Sequence, residues 1–355
     1  MSKFISRRLE RLVPYTPGEQ PQDKKYIKLN TNESPFPPSD KAVSRAGEAL
    51  TRLMLYPDPE CTALNEKFAG VIGVEKDEVM AVNGSDEILN FAFSAFCGGE
   101  KTAVFPDITY GFYEVFADYN GVVYKKIPLG ADFKINISDY LNANATVFIA
   151  NHNAPTGIAL TLGEIEEIVK NNPENVVVID EAYIDFGGES VVSLIHKYDN
   201  LLVTQTFSKS RSAAGARLGF GIACKSLIAD LNTVRFSTNP YNVNSVTMAL
   251  GEGILDDGDY TRENCKKIIE TRLFAENELK NLGFETTNSS ANFIFARHKK
   301  IGGEKIYKKL KDKGILVRHF NGERIKDFNR ITVGTKDEMT VLIEKLKEII
   351  KEETK

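Results

Sequence analysis

The 355-residue sequence predicts an α/β fold: a large unit built on a mainly parallel sheet covered by helices, followed by a smaller α+β unit. Three observations carry this. Short apolar runs alternate with helix-length amphipathic stretches through the first two thirds of the chain, which places buried strands between crossover helices. Beyond Asn244 the texture changes to charged helical stretches around short strands. The length also exceeds what one compact core usually supports and suits two units.

Taken in order, residues 1–40 hold Pro14 and the Pro35, Pro37, Pro38 group, so this part cannot be one helix and should run extended over a surface. Its basic start, MSKFISRRLERL, lacks the apolar stretch of a secretory signal and reads as a short helix packed on the body or on a partner subunit. The large unit is expected over 41–244. Its strands are VMAV (79–82), TAVF (102–105), VFIA (147–150), VVVI (176–179) and LLVT (201–204), separated by helices such as EILNFAFSAF (87–96) and LGEIEEIVKN (162–171). The smaller unit, 245–355, begins with a long helix over Thr261–Leu282. NFIFARH, GEKIYKKLKDKG, ILVRHF and RITVG follow, then a charged helix over Lys336–Glu353. With no repeat and no low-complexity linker, the two units are expected to share a broad interface.

Composition excludes several classes. Hydrophobic residues at 42% and charged residues at 26% describe an ordinary globular enzyme, not a disordered chain. Lys plus Arg (45) against Asp plus Glu (49) gives a net charge of −4, without the basic surface nucleic-acid binding requires. No apolar run approaches the roughly 18 residues needed to cross a bilayer. Cys61, Cys97, Cys224 and Cys265 are scattered without metal-ligand spacing, so they read as reduced core residues of a cytoplasmic protein. The four histidines form no cluster, and no metal site is expected.

The chemistry concentrates in VVVIDEAY (176–183) and TFSKSRSAAGARLGF (206–220). A buried strand ending in Asp180 puts a carboxylate at the carboxyl edge of the sheet, where α/β folds bind ligands. A second strand ends in Ser208-Lys209, with Arg217 a short loop away. Lysine is rarely buried without a partner or a task. Alone the Ser-Lys pair says little; with the Asp strand and the small-residue loop it points to a reactive amine.

These segments belong to a longer series: PYTPGEQP (14–21), LNTNESP (29–35), YPDP (56–59), NGSDE (83–87), PDITYGFY (106–113), NAPTG (153–157), DEAY (180–183), TFSK (206–209), AGARLGF (214–220) and RITVGT (330–335). In this order they resemble the fold-type-I pyridoxal-phosphate aminotransferases, and among them the histidinol-phosphate aminotransferase family, over nearly the whole chain. The resemblance implies a seven-stranded large-domain sheet, pyridoxal 5′-phosphate as cofactor, and a homodimer whose 1–40 segment joins the small domain and the partner. It also implies reversible amino transfer from histidinol phosphate to 2-oxoglutarate, giving imidazole acetol phosphate and glutamate.

Residue chemistry runs beside that resemblance. Pyridoxal phosphate needs an amine to hold it as a Schiff base, and Lys209 is the candidate; the same amine would then move a proton as a base. Asp180 would pair with the pyridine nitrogen. Tyr183 is expected to hydrogen-bond the ring hydroxyl and Tyr110 to stack on the ring face. Gly84, Ser85 and Asp86 lie between a strand and a helix, where free N–H groups and the helix dipole suit the cofactor phosphate. Ser208 and the forked guanidinium of Arg217 complete that cradle. Tyr56 resembles a family tyrosine that reaches the phosphate from the partner subunit.

The sequence departs from the family at one point. The usual Asn-Pro-Thr-Gly is here Ala154-Pro155-Thr156-Gly157, preceded by Asn151-His152-Asn153. Alanine cannot donate, so Asn153 is expected to supply the amide, with Tyr183 as the alternative; His152 reads as a packed loop histidine. Substrate contacts are expected from Arg318 and Arg330, matching family arginines for the anionic end, and from Tyr15 and Asn32. Glu33 either reads the imidazole or braces the loop. Rival readings are a triphosphatase (VVVIDEA resembles a Walker B strand, but no phosphate loop exists) and a dinucleotide site (GFGIAC lacks a third glycine). A transcriptional regulator would need a DNA-binding module that the amino-terminal segment cannot form. Within the fold, a threonine-phosphate decarboxylase or an aromatic aminotransferase remains the alternative.

Overall fold

The computed structural model describes residues 2–10 and 12–353. Strand β1 (Ile27–Lys28) and helices α1 (Asp40–Ala49) and α2 (Thr62–Ile72) lead into the main sheet. There β2 (Val79–Val82), α3 (Ser85–Phe96), β3 (Ala103–Pro106), α4 (Phe112–Asn120), β4 (Tyr124–Ile127) and β5 (Thr146–Ala150) follow one another. Next come α5 (Leu162–Lys170), β6 (Val177–Asp180), β7 (Leu201–Thr206), β8 (Gly219–Ala223), α6 (Lys225–Thr238) and α7 (Ser245–Leu255). The remainder is α8 (Gly258–Asn281), β9 (Phe284–Thr286), β10 (Phe293–His298), α9 (Gly303–Asp312), β11 (Ile315–Leu316), β12 (Arg318–His319), β13 (Phe328–Thr332) and α10 (Lys336–Glu353).

The large sheet has seven strands in the order β2-β8-β7-β6-β5-β3-β4, all parallel except β8, which runs against both neighbours. The apolar runs form strands because both faces are covered. Val147, Ile149, Val177 and Ile179 point into one apolar layer, and Phe148, Ala150 and Val178 into the other. Phe68 stacks on Phe220 at 3.8 Å and Phe93 on Phe148 at 4.0 Å, one pair on each side. Burying such a ring is worth about 1.5–3 kcal/mol. Helix starts follow their caps: Ser39 accepts from the Ala42 N–H at α1, and Thr161 with Glu164 forms a reciprocal box at α5.

The smaller sheet, β12-β13-β10-β9, is antiparallel and carries its own core with α8, α9 and α10. The extended amino-terminal segment joins it through β1, which pairs in parallel with β11. Helix α7 lies on the other side of the boundary expected at residue 244. Met248, Ile254 and Leu255 pack in the large core, and Gly253 lies so close to α1 that a Cβ there would stand 2.7 Å from the Ala42 Cα. The close packing of two short helices decides this, and no compositional shift marks it.

Candidate active site

Strand register brings the first chemical groups together. Ala150 pairs with Asp180 and Asp180 with Thr204, so three neighbouring strands present these residues side by side at the carboxyl edge of the sheet. Above them opens a cavity of about 370 Å³ lined by Lys209, Asp180, Tyr183, Tyr110, Ser208 and Arg217, with Ser85 and Asp86 at one end. These are eight of the residues singled out from sequence, contributed by four separate segments of the chain. A larger cleft of about 590 Å³, behind the Asn153 loop, takes in neither Lys209 nor Asp180.

Asp180 lies at the base, 5% exposed. Thr204 Oγ1 (3.1 Å) and the Ala182 N–H (3.2 Å) donate to its Oδ1, and Tyr113 Oη lies 3.4 Å from Oδ2. Burial pushes its carboxyl up to about 6 against the pull of these donors. Among the described residues no cationic side chain pairs with it, and a buried carboxylate of this kind favours a cationic partner. Lys209 shares the cavity, its Nζ 3.3 Å from the Thr31 carbonyl and 5.9 Å from the centre of the Tyr183 ring. Burial, reinforced by the charge of Arg330, pulls this amine down to about 8. A lysine so placed carries a base-competent fraction near neutral pH.

The opposite end is built for an anion. Helix α3 begins at Ser85 with no side-chain cap, so its first N–H groups and the positive end of its dipole face the cavity end. Gly84 (φ +77°) is required here: a Cβ would stand 2.5 Å from the Arg217 Nη2. Gly219 on β8 is equally constrained, since a Cβ would stand 2.5 Å from the Ser85 N. Because β8 is antiparallel, it starts at this edge and delivers Arg217 there. Arg217 donates to Asp86 Oδ2 at 3.0 Å, and Tyr110 Oη donates to Asp86 Oδ1 at 2.6 Å. The Asp86 carboxylate is therefore a brace for Arg217 and Tyr110, leaving the backbone N–H groups for the anion.

Several expected contacts are placed differently. Asn153 does not line the cavity: its Oδ1 accepts from Thr109 Oγ1 (2.7 Å), and its Nδ2 donates to the Ile108 carbonyl (2.9 Å) and Thr156 Oγ1 (3.1 Å). The amide missing at Ala154 is thus not replaced by Asn153, whose polar atoms hold the loop together. Asn32 is buried behind Tyr183 and bonds to it, not to the cavity. Arg318 is held by the amino-terminal segment, donating to the Thr16 (3.0 Å) and Pro17 (3.1 Å) carbonyls. Tyr15 is not among the residues lining the cavity; its ring stands 4.3 Å from that of Phe112. Arg330 sits beside the cavity; one guanidinium nitrogen donates to the Asn30 carbonyl at 3.1 Å, while its buried Nε has no partner among the described residues. Tyr56 is 81% exposed and stacks on Tyr241 at 4.6 Å, outside this cavity. Glu33 lines the cavity but is tied to Lys28 Nζ at 2.6 Å and Thr31 Oγ1 at 2.6 Å.

Other lining residues escaped sequence reasoning. Gln20, Thr31, Ala182, Ala214 and Gly215 carry no distinctive chemistry, and only the fold gathers them. Thr204 and Tyr113, which hold Asp180, left faint signals: a threonine directly after the apolar run Leu201–Val203, and a tyrosine three residues after Tyr110. His152 also lines the cavity, fully buried and pushed down to about 4 by that burial, so it stays neutral and packed against the Gly187–Gly188 turn.

Comparisons with known proteins extend over nearly the whole chain. The family described as "Aminotransferase class I and II" matches residues 24–346. A histidinol-phosphate aminotransferase of Brachyspira hyodysenteriae is 48% identical over 353 residues, covering 99% of this chain and 100% of that protein. The crystal structure of the histidinol-phosphate aminotransferase from Clostridium acetobutylicum superposes with a TM-score of 0.85 at 26% identity, covering 92% of this chain and 99% of that one. That of the Sinorhizobium meliloti histidinol-phosphate aminotransferase in complex with pyridoxal-5′-phosphate gives a TM-score of 0.92 over 99% of both chains; at 21% identity it speaks for the fold.

Proposed function

The chain belongs to the class I and II aminotransferases and, within them, to the histidinol-phosphate aminotransferases, and on that footing we propose that it moves an amino group reversibly between histidinol phosphate and 2-oxoglutarate. The products are imidazole acetol phosphate and glutamate, a step of histidine biosynthesis. The observation that carries this reading is one cavity holding a depressed lysine, a buried carboxylate without a cation, and an uncapped helix start beside an arginine.

Those residues fit pyridoxal 5′-phosphate, the cofactor of this family. Lys209 would hold it covalently, Asp180 would face the pyridine nitrogen, and the α3 N–H groups with Ser208 and Arg217 would take the phosphate. When bound, the cofactor supplies an electron-withdrawing ring that stabilises negative charge on the substrate carbon bearing the amine. The chain supplies the rest. Lys209 Nζ would act as the base that takes the proton from the substrate carbon bearing the amine. Tyr110 and Ala182, which line the cavity, would pack against the cofactor and keep water from the reacting atoms. Arg330, with its unpartnered Nε, would take the anionic end of each substrate in turn.

The test is optical. A yellow preparation should bleach on adding histidinol phosphate and recover with 2-oxoglutarate. Arg330→Ala should need about 10–150 times more histidinol phosphate, the equivalent of losing a charged hydrogen bond worth about 1.5–3 kcal/mol. Carbon dioxide released without an oxo acid would mean a decarboxylase instead.

Assembly is part of the proposal: a cytoplasmic homodimer in which Tyr56 serves the partner's cavity. Leu53, Met54, Leu55 and Tyr56 are consecutive and exposed, an apolar run that suits burial against a second copy. The four cysteines, all free, suit a reducing compartment. Sedimentation should give twice the chain mass, and Tyr56→Phe should preserve that mass while weakening retention of the cofactor on dialysis. A monomeric active enzyme would overturn both statements.

A further inference from the structure

What surrounds Asn32 dictates where the Tyr183 proton points. Asn32 is 1% exposed and adopts φ +57°, a left-handed conformation that asparagine tolerates better than most residues. Four hydrogen bonds converge on it. Its Nδ2 lies 3.0 Å from Tyr183 Oη and its Oδ1 3.0 Å from Thr332 Oγ1. Its backbone N–H donates to the same Thr332 hydroxyl at 2.9 Å, and its carbonyl accepts from Asn292 Nδ2 at 3.0 Å.

A threonine hydroxyl has one hydrogen. Thr332 Oγ1 already accepts from the Asn32 backbone, so its hydrogen goes to Asn32 Oδ1. That fixes the carbonyl end of the amide on Thr332 and turns the NH₂ end to Tyr183. With the amide reversed, Thr332 would accept twice and its hydrogen would face an NH₂ group. Tyr183 Oη is therefore an acceptor on its buried side, and its own hydrogen is left to point into the cavity.

We infer that Asn32 and Thr332 are positioning residues that hold the Tyr183 hydroxyl as a donor to the cofactor's ring oxygen. The inference rests on the cofactor reading above and replaces the substrate-contact role expected for Asn32. Tyr183 carries this task alone among the residues considered for it, because position 154 is alanine and the Asn153 amide is committed elsewhere. A donor on that oxygen stabilises its negative charge, so the lysine-linked chromophore gives up its proton at a lower pH.

The experiment is a pH titration of the absorbance of the purified holoenzyme and its variants. Asn32→Asp puts an acceptor against Tyr183 and draws its hydrogen away from the cavity. Thr332→Val removes the hydroxyl that orients the amide without changing side-chain shape. Each should raise the chromophore's apparent pKa by about one unit, a tenfold change in the proton equilibrium. Thr332→Ser should restore the wild-type titration. In a Tyr183→Phe background Asn32→Asp should add no further shift. Lys209, Asp180, Asp86 and Arg330 face Tyr183 and are unaltered in all these variants. Wild-type titration of Asn32→Asp and Thr332→Val would overturn the inference, as would a shift that persists without the Tyr183 hydroxyl. A preparation with no yellow chromophore at all would instead overturn the cofactor assignment.

Discussion

Lys209→Ala is expected to abolish amino transfer while leaving the protein folded. The side chain is the only lysine lining the cavity among the described residues, and its hydrogen bond goes to a backbone carbonyl, that of Thr31. Its removal leaves no unpaired buried charge behind; it takes away a desolvated amine held at about 8. What vanishes is both the covalent anchor and the base. A positioned general base alone contributes about 10²–10⁴-fold, so turnover should drop by about four orders of magnitude. Circular dichroism should be unchanged, and borohydride reduction should no longer fix the cofactor to the peptide containing position 209. Normal turnover, or an adduct mapping to another lysine, would refute the assignment.

The second largest effect is expected at Asp180. Its carboxylate is buried, braced by Thr204 and the Ala182 N–H, and unpaired by any cation among the described residues. With a protonated pyridine nitrogen beside it, the pair would be a buried ion pair, and breaking one costs about 3–5 kcal/mol. Asp180→Ala should therefore slow single-turnover bleaching by about 10²–10³-fold or more. Asp180→Asn, which keeps the shape but not the charge, should be nearly as slow. A bleaching rate within a few-fold of wild type in both variants would place the nitrogen's partner elsewhere.

Much of this was legible in the sequence because reactive groups stand at the ends of buried strands, and both the strands and the residues after them are distinctive. VVVID and LLVTQT read as strands because both faces are covered, and they deliver Asp180 and Lys209. Two strands of the large sheet were not legible. β4 (YKKI) is an edge strand whose two central lysines are exposed, so it has no apolar signature. β8 (GFGIA) looks like a failed glycine motif, although its glycines are there to clear Ser85 and Ile88 on α3. The roles of Asn153 and Asn32 were illegible for another reason. An amide side chain serves whatever it meets, and Asn32 meets a threonine 300 positions away.

The single reversed strand also bears on how sequences of this kind can diverge. The connection over 207–218 leaves the sheet and returns to it at one rim, with Lys209 near its start and Arg217 near its finish. It works as a ruler between amine and guanidinium, and one inserted residue would throw their separation out. The turn over 97–102 at the far rim sets no such span and can lengthen or shorten without moving either group. Among distant homologues, gaps should therefore gather at the far rim and spare the ruler.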